Sequence, residues 1–300
     1  MSLKPLAFLL FLLTSCSRSV QPDTQDLNDY TREINEWHHT RVELLLSETG
    51  WINLAGLFWL NEGVNSFGTE SENDLQFPEG SADKLSGYFI LSNGRVTVKI
   101  RPEADILING MKATEAEVYA PENMNSVMSS GTFRWNVIRR EDKFGIRLRD
   151  LSHPALKNFK GVERFEINHE YKIRANLQTS DTLKTIAITN VLGQTTQQKS
   201  PGTAIFEFNG KSYSLDLIDE GTDGEYFIIF SDLTNGETTY ESGRFLYVTH
   251  PDSKGNMIID FNKSINPPCA FSPYATCPLP PPQNRLNVPI DAGEKNVHLY

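Results

Sequence analysis

The sequence predicts a mainly β protein: a β-sandwich packed with a second β unit, preceded by one short helix. Three observations predict it. Four Asn-Gly pairs, Asn93-Gly94, Asn109-Gly110, Asn209-Gly210 and Asn235-Gly236, each lie between runs rich in β-branched or aromatic residues. Such a pair supplies the two left-handed positions that a tight hairpin requires. Runs such as Arg95 to Ile100 (RVTVKI) and Tyr226 to Phe230 (YFIIF) have the composition of strands. A helical recurrence stands out from Tyr30 to Leu46, where Ile34, Trp37, Val42 and Leu45 fall close to a 3.6-residue period.

The organisation follows from the amino terminus onward. Met1 to Ser15 carries one early charge, Lys4, and the apolar run Leu6 to Leu13, too short to cross a bilayer as a helix. Residues 1–15 therefore read as a secretory signal. Leu13-Thr14-Ser15-Cys16 resembles the lipobox of bacterial lipoproteins, which implies cleavage before Cys16, lipidation of its sulfur and, with Ser17 next, delivery to the outer membrane. The protein is then expected at the cell envelope, facing the periplasm, with the lipid on Cys16 as its membrane anchor. Residues 16–29 are polar and read as a tether, residues 30–155 as the helix and a β-sandwich, and residues 156–300 as a carboxyl-terminal β unit. The polar, proline-bearing stretch Leu151 to Gly161 marks the internal boundary. His38 and His39 are adjacent on the predicted helix, cannot converge on one ligand there, and read as surface or packing histidines.

Composition excludes several classes. A chain of 300 residues with 39% hydrophobic residues and 17 phenylalanines can bury a substantial core. Its net charge of −10 makes nucleic acid an improbable partner. Gly210-Lys211-Ser212 has the ending of a phosphate-binding loop, but Ile205 stands where the first glycine is needed, so the stretch reads as a hairpin. The acidic stretch Asp216 to Glu225 lacks the ligand spacing of a calcium loop and reads as a solvated connection. No serine-hydrolase elbow, zincin or C-x-x-C motif occurs, and no cofactor or metal is predicted.

With Cys16 lipidated, Cys269 and Cys277 remain as an even pair in an oxidising compartment, and a disulfide is the expected state. Closing a loop of about nine residues contributes roughly 2.6 kcal/mol in the chain-entropy account. A metal site is the alternative, weakly supported by C-x7-C spacing and scattered histidines.

Two resemblances sharpen the picture. Ser66-Phe67-Gly68, Asn73 to Pro78 (NDLQFP), the Asn93-Gly94 turn and Ile106 to Gly110 (ILING) follow the order of a forkhead-associated sandwich. No arginine follows Phe67-Gly68, so that family's phosphopeptide reading is not implied. Farther on, D-F-N at 260–262, N-P-P-C-A-F at 266–271, A-T-C-P-L-P-P at 275–281 and Q-N-R-L at 283–286 resemble bacterial domain-of-unknown-function family 1684. Gly50 to Leu60 (GWINLAGLFWL) extends that resemblance upstream, and Ile265 departs from it where an aromatic is usual. The family implies a β-rich unit of no established activity. It also implies that the proline-rich stretch Asn266 to Asn284 is folded, with Phe271, Tyr274 and Leu279 as its apolar anchors.

The candidate site is where this stretch meets the segment 232–244. Asp232, Tyr240, Arg244, Asp260, Asn262 and Asn266 offer two carboxylates, a guanidinium, a phenol and two amides, the convergent polar groups of a small-molecule site. Three readings remain. One is an envelope protein binding a small polar or glycan-like ligand there. Another is a hydrolase with an Asp232 or Asp260 base, an Arg244 clamp and Ser242 as nucleophile. The third is a structural accessory in which these six groups satisfy one another.

Overall fold

A computed structural model describes residues 24–297 apart from 123 and 180–183. The predicted signal, Cys16 and residues 17–23 of the tether lie outside the described residues.

The helix, α1, runs Thr24–Leu46 and so begins six residues before the predicted tether ends; Asp26 in its first turn suits the positive end of the helix dipole. It buries Tyr30, Ile34 and Leu45, with Trp37 and Arg41 half-buried on the same face. That face lies on the carboxyl-terminal unit, as the contacts below show.

The sandwich has two six-stranded sheets. One orders Leu54–Trp59, Lys143–Asp150, Phe133–Arg140, Met128–Ser130, Leu107–Ile108 and Met111–Lys112 side by side, all antiparallel. The other orders Leu75–Gln76, Gly63–Gly68, Gly87–Ser92, Arg95–Ile100, Glu115–Ala120 and Met124–Asn125, with its first pair parallel. Strand residues alternate between core and surface: in Arg95–Ile100, Val96, Val98 and Ile100 point inward. Phe67, Phe77, Phe89 and Trp135 fill the middle, with Phe67 and Phe89 4.6 Å apart and Trp135 edge-on to Phe77 at 5.8 Å.

The carboxyl-terminal unit has a four-stranded sheet, ordered Lys211–Asp216, Thr203–Phe208, Lys172–Gln178, Asn256–Asp260, and two separate ribbons. One ribbon pairs Lys184–Thr189 with Thr195–Ser200, the other Glu225–Phe230 with Arg244–Thr249. None of these sheets closes into a barrel.

Three of the four Asn-Gly pairs behave as expected: Asn93, Asn109 and Asn209 take φ of 53°, 49° and 49°, each followed by a positive-φ glycine at a two-residue turn. The fourth does not. Asn235 lies inside the long connection 231–243 and is tied there by its side chain, which accepts from the Asp232 N–H at 2.7 Å and donates to the Tyr240 carbonyl at 2.6 Å. Lys211 and Ser212 sit exposed on a hairpin strand, as the hairpin reading requires.

The boundary stretch is not a loose linker. It forms the short helix Pro154–Asn158 and buries Phe159, which meets Phe271 edge-on at 6.4 Å. Leu45, Ile52, Phe159, Val162, Ala270 and Phe271 form one small core between α1, the sandwich edge and the proline-rich stretch.

Trp135→Ala is expected to lower the unfolding free energy by about 3–5 kcal/mol, the range for emptying a buried aromatic site. Urea titration followed by circular dichroism measures it.

Candidate functional site

The proline-rich stretch is folded into the protein. Asn266, Ala270, Phe271, Ser272 and Asn284 are buried, and short 3-10 turns form at Pro268–Ala270 and Pro282–Asn284. Phe271 anchors it, whereas Tyr274 points outward, because the turn it sits in faces a groove against Gly56 and Phe58 of the sandwich. Gly243 (φ 96°) lets the backbone pass beneath it: a Cβ there would lie 2.4 Å from Pro280 Cγ and 2.7 Å from the Phe230 carbonyl oxygen.

The six predicted site residues fall into separate clusters. Arg244 is 0% exposed; its guanidinium donates to Asp232 Oδ2 at 2.7 Å, to the Ile290 carbonyl at 2.9 Å and to the Ala292 carbonyl at 2.5 Å, and lies over the Phe230 ring. Asp232 Oδ1 accepts from the Thr234 N–H and hydroxyl and from the Ile290 N–H. Burial holds Arg244 below the ordinary guanidinium value, opposed by Asp232. Together the pair grips an extended segment, residues 286–292, whose Leu286, Val288, Ile290 and Ala292 alternate into the core.

Asp260 and Asn262 form the second cluster. The Tyr30 hydroxyl of α1 donates to Asp260 at 2.9 Å, Asn262 Nδ2 donates to Asp260, to the Tyr30 oxygen and to the Asn168 carbonyl, and its Oδ1 accepts from the Asn168 N–H. Burial, then the Asp260 charge, push the Tyr30 phenol well above its usual range. In the third cluster, Asn266 donates its N–H to Glu294 Oε2 at 2.6 Å and its Nδ2 to the Lys295 carbonyl, while Arg41 of α1 bonds both Glu294 and the Asn266 carbonyl. Glu294 is 1% exposed, and burial raises its carboxyl above the ordinary value against the pull of Arg41. Tyr240 stands apart, half-buried, its hydroxyl bonded to Ser242.

These groups are therefore engaged in separate networks instead of lining a single cavity, with Arg244 Nε and Asn266 Oδ1 left buried without a partner. With both Nη atoms engaged and no exposed surface, Arg244 has no face left for a ligand, and the two predicted bases reach different openings, Asp260 a pocket beneath α1. Asp232 does border a shallow surface groove with Arg285 and Asn287, but both of its oxygens are already bonded. Cys269 and Cys277 carry no disulfide in this structure: they are two free thiols, and each accepts the other's backbone N–H, at 3.3 and 3.0 Å. Reciprocal N–H···S bonds close the turn. Among the described residues no cluster of three or more histidine, cysteine or carboxylate side chains could hold a metal.

The opening that Asp260 reaches is a pocket of about 380 Å³ between α1 and the strands Glu225–Phe230, Arg244–Thr249 and Asn256–Asp260. Trp37 and Tyr247 supply aromatic wall, and Glu33, Glu225, Lys172, Lys263 and Thr249 supply polar groups. Glu33 pairs with Lys263 at 2.6 Å, and the Lys172 ammonium lies 4.3 Å over the Tyr30 ring. Burial first, then the Glu220 charge, push the Tyr247 phenol up to about 12, so it stays a neutral donor and acceptor. Sequence reasoning singled out Asp260, placed Trp37 on the helix and missed the rest. The available signal was Tyr247, an aromatic at an outward position of a strand whose first three side chains are buried. A second cleft, of about 320 Å³, lies where Arg140 and Glu141 of the sandwich meet Asn190, Gln194, Thr276 and Pro278.

Residues 157–295 match the family described as protein of unknown function (DUF1684), the family that the D-F-N and N-P-P-C-A-F stretches resemble. Gly50 to Leu60 lies outside the match. A solution NMR structure of an uncharacterized protein of Haloarcula marismortui is 28% identical at a TM-score of 0.39, covering 46% of this chain and 78% of that one. A crystal structure of Rad53 (1–466) in complex with AMP-PNP is 14% identical at a TM-score of 0.15, covering 59% and 38%. At these scores neither likeness bears on fold or function. No curated protein matches the chain.

Arg244→Ala is expected to destabilise the protein by about 3–5 kcal/mol, since it leaves Asp232 buried without its counter-charge; chemical denaturation measures the loss. Glu294 gives a second expectation. Its raised carboxyl binds a proton more tightly in the folded than in the unfolded chain, so its contribution is largest at low pH and falls as pH rises past the ordinary carboxylate value. The stability of Glu294→Gln relative to the unsubstituted protein should therefore rise between about pH 4 and pH 7.

Proposed function

We propose that this protein is a lipid-anchored binding protein of the bacterial envelope, taking a small polar, glycan-like ligand in the pocket that α1 closes over the carboxyl-terminal unit. The observation that carries the reading is the pairing of Trp37 and Tyr247 with Glu225, Thr249 and Lys172 in one opening of about 380 Å³. Aromatic faces cover the apolar faces of a sugar ring, and a few fixed donors and acceptors orient its hydroxyls. The volume suits one or two such rings. Support for the anchor, and for an outer-membrane site facing the periplasm, is the Leu13-Thr14-Ser15-Cys16 sequence followed by Ser17. The hydrolase reading finds less support: Asp260 is engaged by Tyr30 and Asn262, and Arg244 is enclosed. An accessory role in envelope assembly is favoured by one observation, the engagement of Arg244 with Asp232, of Asn262 with Asp260 and of Asn266 with Glu294, and it concerns those residues and not the pocket.

Calorimetric titration with neutral, amino-sugar and uronate oligosaccharides tests the binding reading. One class is expected to bind, and Trp37→Ala or Tyr247→Ala to weaken it about tenfold or more, roughly 1.4 kcal/mol. Tyr88→Ala, an exposed aromatic on the sandwich, should leave it unchanged. Absence of binding by all three classes, or wild-type affinity in both pocket variants, would overturn it.

A further inference from the structure

The binding pocket leaves Cys269 and Cys277 without a role: Cys277 closes one side of an apolar cluster with Ile188, Ile218 and Phe227, and Cys269 and Trp51 lie against that cluster. The turn that carries them is rigid: Pro267 and Pro268 precede Cys269, and the Ala270 and Phe271 N–H groups close the turn onto the Pro267 and Pro268 carbonyls. Each sulfur accepts the backbone N–H of the other cysteine, so both sulfurs are presented together. Cys269 is partly exposed and Cys277 is buried.

The opposing surface is the outward face of Lys143–Asp150 in the sandwich. Arg147 on this strand is 7% exposed, and its Nε and Nη2 have no hydrogen-bond partner. It lies 5.2 Å over the Trp51 ring. Arg140 and Arg149 nearby share its sign and disfavour its charge, while Cys277 and Cys269 favour it. Burial brings Arg147 down to about 10, still protonated at neutral pH. A buried cation with unused N–H groups beside two thiols is the environment in which a thiolate is stabilised. The thiols divide accordingly: the Cys277 hydrogen bond, with help from Arg147, holds Cys269 below the ordinary thiol value, and the bond to Cys269 together with burial pushes Cys277 far above it. Tyr240, from the connection 231–243, completes the set of titratable neighbours.

The geometry points to a thiol–disulfide exchange site, in which Cys269 is the attacking sulfur, Cys277 the resolving sulfur, Arg147 the positioning cation, and the substrate a dialkyl disulfide. The Cys269 thiolate attacks one substrate sulfur; the substrate S–S bond breaks and its other sulfur leaves as a thiolate that takes a proton from water. Cys277 then loses its proton to water and attacks Cys269 in the mixed disulfide, releasing the second substrate thiol. The substrate gains two electrons and two protons, and Cys269–Cys277 becomes the disulfide; the reverse sequence oxidises a substrate dithiol. Thr276 and Pro278, which flank Cys277, form part of the wall of the cleft of about 320 Å³, whose floor is Ile188, Ile218, Phe227 and Ile229. Arg140 Nε bonds the Thr276 hydroxyl at 2.8 Å and fixes that wall. An apolar floor next to the residues that flank Cys277 suits a cystine carried on a peptide.

The test uses the full-length reduced protein with oxidised glutathione and with a disulfide-linked model peptide. The pair should equilibrate with glutathione buffers, read as the mass shift after alkylation, and Cys277→Ser should accumulate a mixed disulfide at Cys269. Arg147→Gln should slow iodoacetamide alkylation of Cys269 at neutral pH about tenfold and move its pH profile upward, with Arg147→Lys restoring part of the rate. Faster exchange with the peptide would support the site and add the cleft to it; equal rates would support it for small disulfides. A pair that stays oxidised in every glutathione mixture and is alkylated only on unfolding would make it a structural staple and overturn the proposal. So would an unchanged pH profile in a folded Arg147→Gln protein.

Discussion

The ion pair between Arg244 and Asp232 is the constraint on which the carboxyl-terminal half depends, because it ties one ribbon strand, the 231–243 connection and the closing segment to a single buried charge. Arg244 stands at the start of Arg244–Thr249, Asp232 just beyond the paired strand, and both bond the backbone of Ile290, with Ala292 held by the arginine alone. Residues 286–292 are extended but belong to none of the sheets, so their polar backbone needs partners from elsewhere. A guanidinium with a fixed fork of donors meets that need and its own need for a counter-charge at once. Charged hydrogen bonds of this kind are strong in a dry interior and costly to break singly, which makes the closing segment an integral part of the unit.

A second layer of polar contacts fastens α1 to that unit. Tyr30 on Asp260 and Arg41 on Glu294 lie three helical turns apart along one face, with Trp37 between them. The pocket exists because the helix is held at both points while its middle spans the exposed faces of Tyr247 and Ile258. The same kind of polar contact that closes off the predicted site therefore shapes this pocket, by fixing the cap that encloses it. Asp260 belongs to both arrangements.

The junction with the sandwich is built differently. Its outer face presents Arg140, Arg147 and Arg149 to the proline-rich stretch, and only part of their N–H donors is engaged: Arg149 donates to the Gly50 carbonyl and Asn53, Arg140 to the Thr276 hydroxyl. The unused buried donors fall on Arg147. An unpaired buried cation is a local cost to folding, and such costs concentrate where chemistry uses them.

How much was legible in the sequence follows the range of the forces involved. Hairpins at Asn93-Gly94, Asn109-Gly110 and Asn209-Gly210, the helix with its buried stripe, and the folded state of Asn266 to Asn284 were readable, because turn chemistry and periodicity act over a few residues. Asn235-Gly236 misled for the same reason: its side chain is committed to Asp232 and Tyr240, a choice made by the surrounding connection. The six polar candidates were singled out as one ligand site, and the sequence alone could not say that their partners in the fold were Ile290, Ala292, Tyr30, Glu294 and Arg41, up to 232 positions away. Nor could it place Trp37 beside Tyr247, or Arg147 beside Cys269. The sequence by itself determined the β class, the turns, the family and the set of groups that must be satisfied; tertiary structure decided which of them pair and which remain open, because burial and long-range electrostatics act on distances in space that chain separation does not encode.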